Sequence, residues 1–407
     1  MRSLLSAALG LVCLLGNSQT VDLKFMSHNI LNYSGTDANR GRWQDIKLVV
    51  GDYQPDFMVI QELNDATGAT KILDSALNVN GQTNYARAAF VNGPDTDNML
   101  FYRADKLFLV GQYQISTTLR DITRYDLRSI SGTDTIFFSV FSAHLKAGNQ
   151  PSDETDRLNE INAFCSAISS LPSTSNLIFA GDCNVYSSTE AWYTKFTSTA
   201  CSVKFYDPIN MPGFWNNNGA FSTIHTQSTR TSANSGCCGG STGGLDDRFD
   251  LIHVNYNTLV GTGGMKILSN TYKAYGNDGN HFNAAITDAP ANGVVSAAIA
   301  QALFNISDHL PVVATFRLHA DFTGISESNT ENNAVQFAQD RLFVSTSGDG
   351  LFNLSVYDIS GRLVHTENLN LSSGDQIIPF IKQLESGVYY FSISNSLIKF
   401  GTKAVVE

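Results

Sequence analysis

The 407-residue chain has no basic excess: 26 Lys and Arg stand against 37 Asp and Glu, a formal charge of −11. That argues against a tight, nonspecific nucleic-acid binder, which needs a broad basic face, but not against a hydrolase that grips one phosphate. The chain also lacks the run of roughly 20 apolar residues that a membrane-spanning helix requires. Its apolar stretch Leu4–Leu15 follows Met1-Arg2 and precedes Gly16-Asn17-Ser18, the pattern of a signal peptide over residues 1–18. The mature protein is therefore expected to be soluble and exported, with no transmembrane segment. Cysteine is scarce, and no spacing resembles a zinc site. Once Cys13 leaves with the signal peptide, Cys165, Cys183, Cys201, Cys237 and Cys238 remain, an odd count implying a free thiol or an intermolecular bridge. Cys237–Cys238 reads equally as a vicinal disulfide or two unpaired neighbours, and Cys183 as a small space-filling residue.

The length exceeds one ordinary domain, and composition changes near Asp321. An Asn/Ser-rich stretch (ISESNTENNA) predicts a linker over 321–335. Short alternating strands follow at Leu342–Ser345, Asn353–Asp358, Leu363–Asn368, Gln376–Pro379, Val388–Ser394 and Lys399–Val406, with turns at Ser360-Gly361 and Ser386-Gly387. They predict a small all-β sandwich over 336–407. From Asp321 onward ten acids against five bases supply −5 of the charge, so residues 19–320 are only moderately acidic.

In residues 19–320 strand and helix patterns alternate. Strands are expected at Leu23–Ile30, up to Glu62, at Tyr85–Val91, Asn98–Tyr102, Leu107–Gln112 and Thr135–His144, and at runs ending at Asp182, His253 and Phe316. Helices are expected around Trp43–Val50, Ile72–Leu77 and Thr155–Ser170, the last with Leu158, Ile161, Phe164, Cys165 and Ile168 on one stripe. This predicts an α/β fold, a four-layer sandwich of two mixed sheets with helices outside. Long loops without periodicity, Asn210–Asp247 and Tyr275–Asn292, are candidates for a binding edge.

Six segments join an acid, Asn or His to an apolar run: HNIL at Asn29, IQE at Glu62, SAHLK at His144, GDCN at Asp182 and Asn184, RFDLI at Asp250, and SDHLPV at Asp308–His309. Strand ends would deliver such side chains to one rim. Hydrolysis of a phosphodiester needs a base near the attacking water, an electrophile on the non-bridging oxygens and an acid for the leaving alkoxide. Two His and several carboxylates cover those tasks, and hard oxygen ligands suit Mg²⁺, Mn²⁺ or Ca²⁺. Each segment alone reads as a turn, cap or strand-end residue. Six in one chain favour a site.

In content and order these motifs resemble the endonuclease/exonuclease/phosphatase superfamily, the deoxyribonuclease I-like fold, over roughly residues 22–318. The resemblance implies metal ligation by Asn29, Glu62 and Asp308. It implies that Asp182 positions or activates water, that Asn184 contacts phosphate, that Asp250 orients His309, and that His144 is a second catalytic His. Leu31 stands where some members place an Asp. The tail, with VYDISGRLVH, LESGVYYFSIS and the terminal KFGTKAVV, is similar to the type A C-terminal sorting domain of the type IX secretion system. That implies passage through the periplasm to the cell surface or medium, with the secretion machinery as partner.

The expectation is thus a secreted, divalent-metal-dependent hydrolase of phosphate esters, an endonuclease acting on extracellular DNA or RNA. The alternatives are a sphingomyelinase-like phospholipid diesterase, hinted at by Phe214-Trp215, then a phosphatase, then a non-catalytic adhesin. Arg120, Arg124 and Arg128 are candidate contacts to flanking phosphates, against the plainer reading of solvated arginines with local acidic partners. His281 of NDGNHF is a lesser candidate for the pocket rim.

Overall fold

The computed structural model describes residues 20–36, 41–129, 135–172, 174–233, 239–319, 333–338, 341–359, 361–380, 382–395 and 398–406. The expected signal peptide, most of the expected linker, and Cys237–Cys238 lie outside these residues. None of the described helices is long and apolar enough to cross a membrane.

Twelve strands form two six-stranded sheets. The first holds β1 (Thr20–Tyr33), β2 (Phe57–Leu63), β3 (Tyr85–Arg87), β4 (Asp97–Arg103), β11 (Met265–Ala274) and β12 (Val312–His319), in the order β11-β12-β1-β2-β4-β3. The second holds β5 (Leu107–Ile115), β6 (Ile122–Ser129), β7 (Phe137–His144), β8 (Asn176–Asp182), β9 (Phe205–Tyr206) and β10 (Asp250–Asn255), in the order β5-β6-β7-β8-β10-β9. Each sheet is mixed, with β1–β2 parallel in the first and β7–β8 parallel in the second.

Alternation builds the layers, because successive strand side chains point to opposite faces. Phe25 and Phe57 meet at 4.7 Å between ring centroids, and Phe57 reaches Phe138 of the other sheet at 5.6 Å. Each such ring taken out of water contributes about 1.5–3 kcal/mol. The opposite face of β1 and β2 packs His28, Ile30, Met58 and Ile60 against Ile46, Val49 and Val50 of helix α1 (Arg42–Tyr53) and Ile72 of α2 (Ala66–Ile72). Phe141 and Phe179 on the outer face of the second sheet pack on Phe164 of α3 (Pro151–Ala167) and, for Phe179, on Phe196 of α4 (Ala191–Phe196). The result is helix, sheet, sheet, helix. Two short additions are α5 (Tyr256–Val260) and α6 (Ala297–Ile306).

Some expectations shift. The run Tyr85–Val91 is strand only to Arg87, and β6, which contains Arg124 and Arg128, is a strand that charge obscured. Cys165 and Cys201 form a disulfide, while Cys183 is a buried free thiol in the core beneath the second sheet. The tail forms a three-stranded sheet, β13 (Ala334–Ala338), β14 (Arg341–Thr346) and β17 (Gly374–Pro379). Beside it is a four-stranded one, β15 (Gly350–Asp358), β16 (Leu363–Leu371), β18 (Gly387–Ser394) and β19 (Lys399–Val406). β13 starts at Ala334, inside the stretch expected as linker, because Val335 is apolar enough to join the tail's core.

Candidate active site

Period-two alternation carries three polar side chains to the same end of the space between the sheets. On β7 the inward series Phe138, Val140, Ser142 ends in His144, and on β8 the series Ile178, Ala180 ends in Asp182. β10 contributes from its start: Asp250 begins the strand and pairs in antiparallel register with Asp182, so the first residue of one strand meets the last of its neighbour. The run expected to end at His253 continues to Asn255, and its first residue, Asp250, is the one at the rim. Gly181 makes the close pairing of β7 and β8 possible. It has φ +145°, and a Cβ there would lie 1.9 Å from the Ala143 carbonyl oxygen.

In the first sheet Asn29 lies on the inter-sheet side, paired with Gln61, whose Nε2 donates to Ser142 Oγ at 2.9 Å across the layers. Strict alternation would turn Glu62 the other way, with Ile60. Instead Glu62 has φ +60°, which rotates its carboxylate toward Asn29. Leu31, Asn32 and Asn184 also have positive φ, between 46° and 49°. Non-glycine residues in this region carry strain of order 1–3 kcal/mol each, and four of them at one rim mark a place where geometry takes precedence over local ease.

Asn29 Nδ2 donates to Glu62 Oε1 at 2.8 Å and to Asp182 Oδ2 at 3.0 Å, so one amide spans both sheets. Its Oδ1 accepts from Leu31 N, and Glu62 Oε2 accepts from Asn32 N. His144 Nε2 lies 3.4 Å from Asp182 Oδ2 and 3.9 Å from Glu62 Oε1. His309 precedes β12 and reaches in from the first sheet. Its Nδ1 donates to Asp250 Oδ2 at 2.7 Å, and its Nε2 lies 3.6 Å from Asp182 Oδ2. Two groups thus form with ligand atoms within 4.8 Å of one another: Glu62, His144 and Asp182, and Asp182, Asp250 and His309. Asn184 donates from Nδ2 to Leu145 O, and its N–H donates to Asp182 Oδ1.

Burial and like charge set the electrostatics. Asp182 is pushed upward, first by burial and then by the charges of Asp250 and Glu62, against the pull of His309. His144 is pushed down by burial, reinforced by Arg120 and His309, so its ring is neutral. Burial also acts to lower His309, but the facing carboxylates of Asp250, Asp182 and Asp308 outweigh it and hold the ring well above its ordinary value. Glu62 and Asp182 bracket a crowded, buried negative region that a divalent cation would relieve. The donor set fits such an ion.

The other candidates lie elsewhere. Asp308 is outside both groups: its Oδ2 accepts from Ser241 N at 2.6 Å and Gln227 Nε2 at 3.2 Å, tying two loop segments beside the site. His281 is sealed in its own loop, with Nδ1 on Asp278 at 2.8 Å and Nε2 on the carbonyls of Asp288 and Pro290. Arg120 pairs with Asp95 but stays beside the site, its Nη1 donating to Leu145 O at 3.4 Å, whereas Arg124 pairs with Asp126 and Arg128 lies over Phe108. Phe214 is exposed, but Trp215 is buried with its indole N–H on Met211 O. Gln227, which no motif marked, brings its side-chain amide to 2.6 Å from His309 Nε2. The pattern QST in a long loop carries no signal that could have singled it out.

Residues 338–407 match the family described as the secretion system C-terminal sorting domain. No curated protein matches the chain. Among solved structures, it is similar to an endonuclease/exonuclease/phosphatase family protein from Bacteroides thetaiotaomicron, at 16% identity over 74% of this chain and 99% of that one, TM-score 0.45. It is similar to another of that description from Beutenbergia cavernae, at 14% identity over 94% and 100%, TM-score 0.48. The human Nocturnin catalytic domain is a third, at 18% identity over 74% and 98%, TM-score 0.42.

Proposed function

We propose that this chain is an exported, divalent-cation-dependent phosphodiesterase that acts as an endonuclease on DNA or RNA. The observation that carries this reading is the meeting, at one rim between two sheets, of the Asp250–His309 pair with Glu62, Asp182 and His144. Glu62 would hold the ion, with Asn29 fixing its carboxylate and Asp182 beside it. A bound Mg²⁺, Mn²⁺ or Ca²⁺ supplies charge stabilisation at the phosphoryl oxygens.

The side chains divide the remaining work. Asp182 orients the attacking water and takes its proton, its own direction being kept by Asn29 and the Asn184 N–H. His309, charged beside Asp250, donates from Nε2 to the phosphate and furnishes the proton that the departing alkoxide needs. The neutral His144 hydrogen-bonds a second phosphate oxygen, and Asn184 borders the same space. As water adds to phosphorus, the bond to the leaving oxygen breaks, giving a phosphomonoester and an alcohol. Asp308, expected as a metal ligand, serves better as the anchor of Gln227 and Ser241.

The sorting-domain match supports export, through the type IX machinery, to the surface or medium. A phospholipid diester is the second reading, favoured by the exposed ring of Phe214. The test is hydrolysis of plasmid DNA, RNA and sphingomyelin vesicles with each cation, against EDTA and His309→Ala. Nicking that needs the cation and His309 supports the nuclease reading. Lipid cleavage alone moves the assignment to the phospholipid branch, and turnover of none of the three overturns catalysis on diesters.

A further inference from the structure

We infer that Arg157 and Glu190 form a buried positioning clamp that sets the loops carrying His144 and Asn184 relative to each other, an inference that rests on the phosphodiesterase reading. Arg157 sits on α3 with its side chain fully buried, and its Nε donates to Glu190 Oε2 at 2.9 Å. Its Nη1 donates to the carbonyls of Lys146 and Gly148, both at 2.8 Å, in the loop that leaves His144. Glu190 accepts, through Oε1, the N–H of Tyr186, two residues beyond Asn184, and through Oε2 the indole N–H of Trp192. Glu160, one turn along α3 from Arg157, accepts the Lys146 N–H at 2.9 Å.

Three backbone groups of the loop after His144 are thus taken up by side chains of α3, the helix into which that loop runs. β7 ends at His144 and β8 at Asp182, so Asn184 lies two residues past its strand. The direct bond between the two loops is Asn184 Nδ2 to Leu145 O, with Leu145 N on Asp182 O behind it. A buried charged pair with a fixed guanidinium fork is a stiff device for holding several carbonyls at once. The shorter, single-headed ammonium of lysine cannot reach Glu190, Lys146 O and Gly148 O together. Burying an ion pair is a poor route to stability alone, so a geometric role accounts for it better.

Among the described residues the hydrogen bonds of the Glu190 carboxylate go to Arg157, Tyr186 and Trp192 and not to the loop after His144, which gives the test its edge. The full-length chain is compared as wild type, Arg157→Lys, Glu190→Gln and Glu190→Asp, the last keeping charge while shortening reach by one methylene. Amide hydrogen exchange is followed at 145–148 and 184–187, with thermal unfolding as the control for folding. Turnover of bis(4-nitrophenyl) phosphate is measured per folded molecule. The clamp predicts that Glu190→Gln speeds exchange at Lys146 as well as Tyr186. It also predicts that kcat falls about 10–100-fold in Glu190→Gln and Arg157→Lys with KM within about threefold, as small misplacement of catalytic groups does. Exchange confined to 184–187, or an unchanged kcat per folded molecule, overturns it. If Gln at 190 does not fold, Glu190→Asp carries the same readouts. If the wild type turns over no diester, the phosphodiesterase reading fails, and the exchange at Lys146 still decides the clamp.

Discussion

Two buried Asp–His pairs joined through Nδ1 occur among the described residues, and they differ at the other ring nitrogen. Asp250–His309 and Asp278–His281 have nearly the same separation, 2.7 and 2.8 Å. Nε2 of His281 is spent on two backbone carbonyls of its own loop, and its Asp is three residues away, so the pair staples one turn. Nε2 of His309 faces Gln227 and Asp182, and its Asp comes from the opposite sheet 59 residues away. The pairing motif is common to both. What the second nitrogen meets, and how many elements converge on it, separates a staple from a candidate catalytic group.

The comparison breaks most sharply on activity. His309→Ala should lower kcat by about 10²–10⁴-fold, the range for losing a positioned acid or base, while His281→Ala should leave kcat per folded molecule unchanged; steady-state kinetics on both variants decides. Equal losses would erase the distinction. Chelation should act like the first variant: EDTA is expected to abolish turnover, and added Mg²⁺ or Mn²⁺ to restore it. Next in size, Gly181→Ala should destabilise the fold by several kcal/mol, because the added Cβ would enter the Ala143 carbonyl and alanine disfavours φ +145°. A denaturant titration with an unchanged midpoint would contradict it.

On stability the ranking reverses. His281→Ala should cost about 1–3 kcal/mol through unpaired groups in the Asp278–Pro290 loop, read as a lower melting temperature. The smallest effect is its pH dependence. Burial opposes ionisation of both partners, but hydrogen bonds from Gly293 and Asn280 and the His281 pairing hold Asp278 down to about 2, and Asp278 with the two carbonyls raises His281 above 6.5. A raised His contributes stability that is complete below its unfolded value and is lost as pH rises through the folded one. A depressed Asp contributes stability that is complete above its unfolded value and is lost as pH falls through the folded one. The stability difference between wild type and His281→Ala should therefore be widest between pH 3.8 and 6.5 and narrow above it. A difference growing toward alkaline pH would contradict this.

Much of the fold was legible because alternation and helical stripes are local. The strand ending in Asp182 and the stripe through Ile161 and Phe164 follow from their own residues, and so did the tail's strands from Leu342 onward. β6 was missed because Arg124, Asp126 and Arg128 mask a strand whose charges pair along one face. The direction of β10 was not legible either. A run such as RFDLIHVN has no arrow relative to the rim, and only antiparallel pairing with β8 shows that Asp250 is at the rim's end.

The candidate site residues were visible as types, while their partners were not. Asp308 and His309 are adjacent in sequence, yet one anchors Ser241 and the other pairs with Asp250. Gln227, Arg157 and Glu190 carry no motif, since the pairings Gln227–His309 and Arg157–Glu190 join residues far apart in the chain. The sequence by itself determined the layered α/β core, the β-rich tail and the presence of acids and histidines at strand ends, because these depend on periodicity and composition. Tertiary structure alone decided which of those acids meet, that Asn29 bridges the two sheets, and which histidine turns its second ring nitrogen toward the candidate site. The reason is that hydrogen-bond geometry between distant strands depends on which strands become neighbours and in which direction they run, and a strand's own alternation names neither.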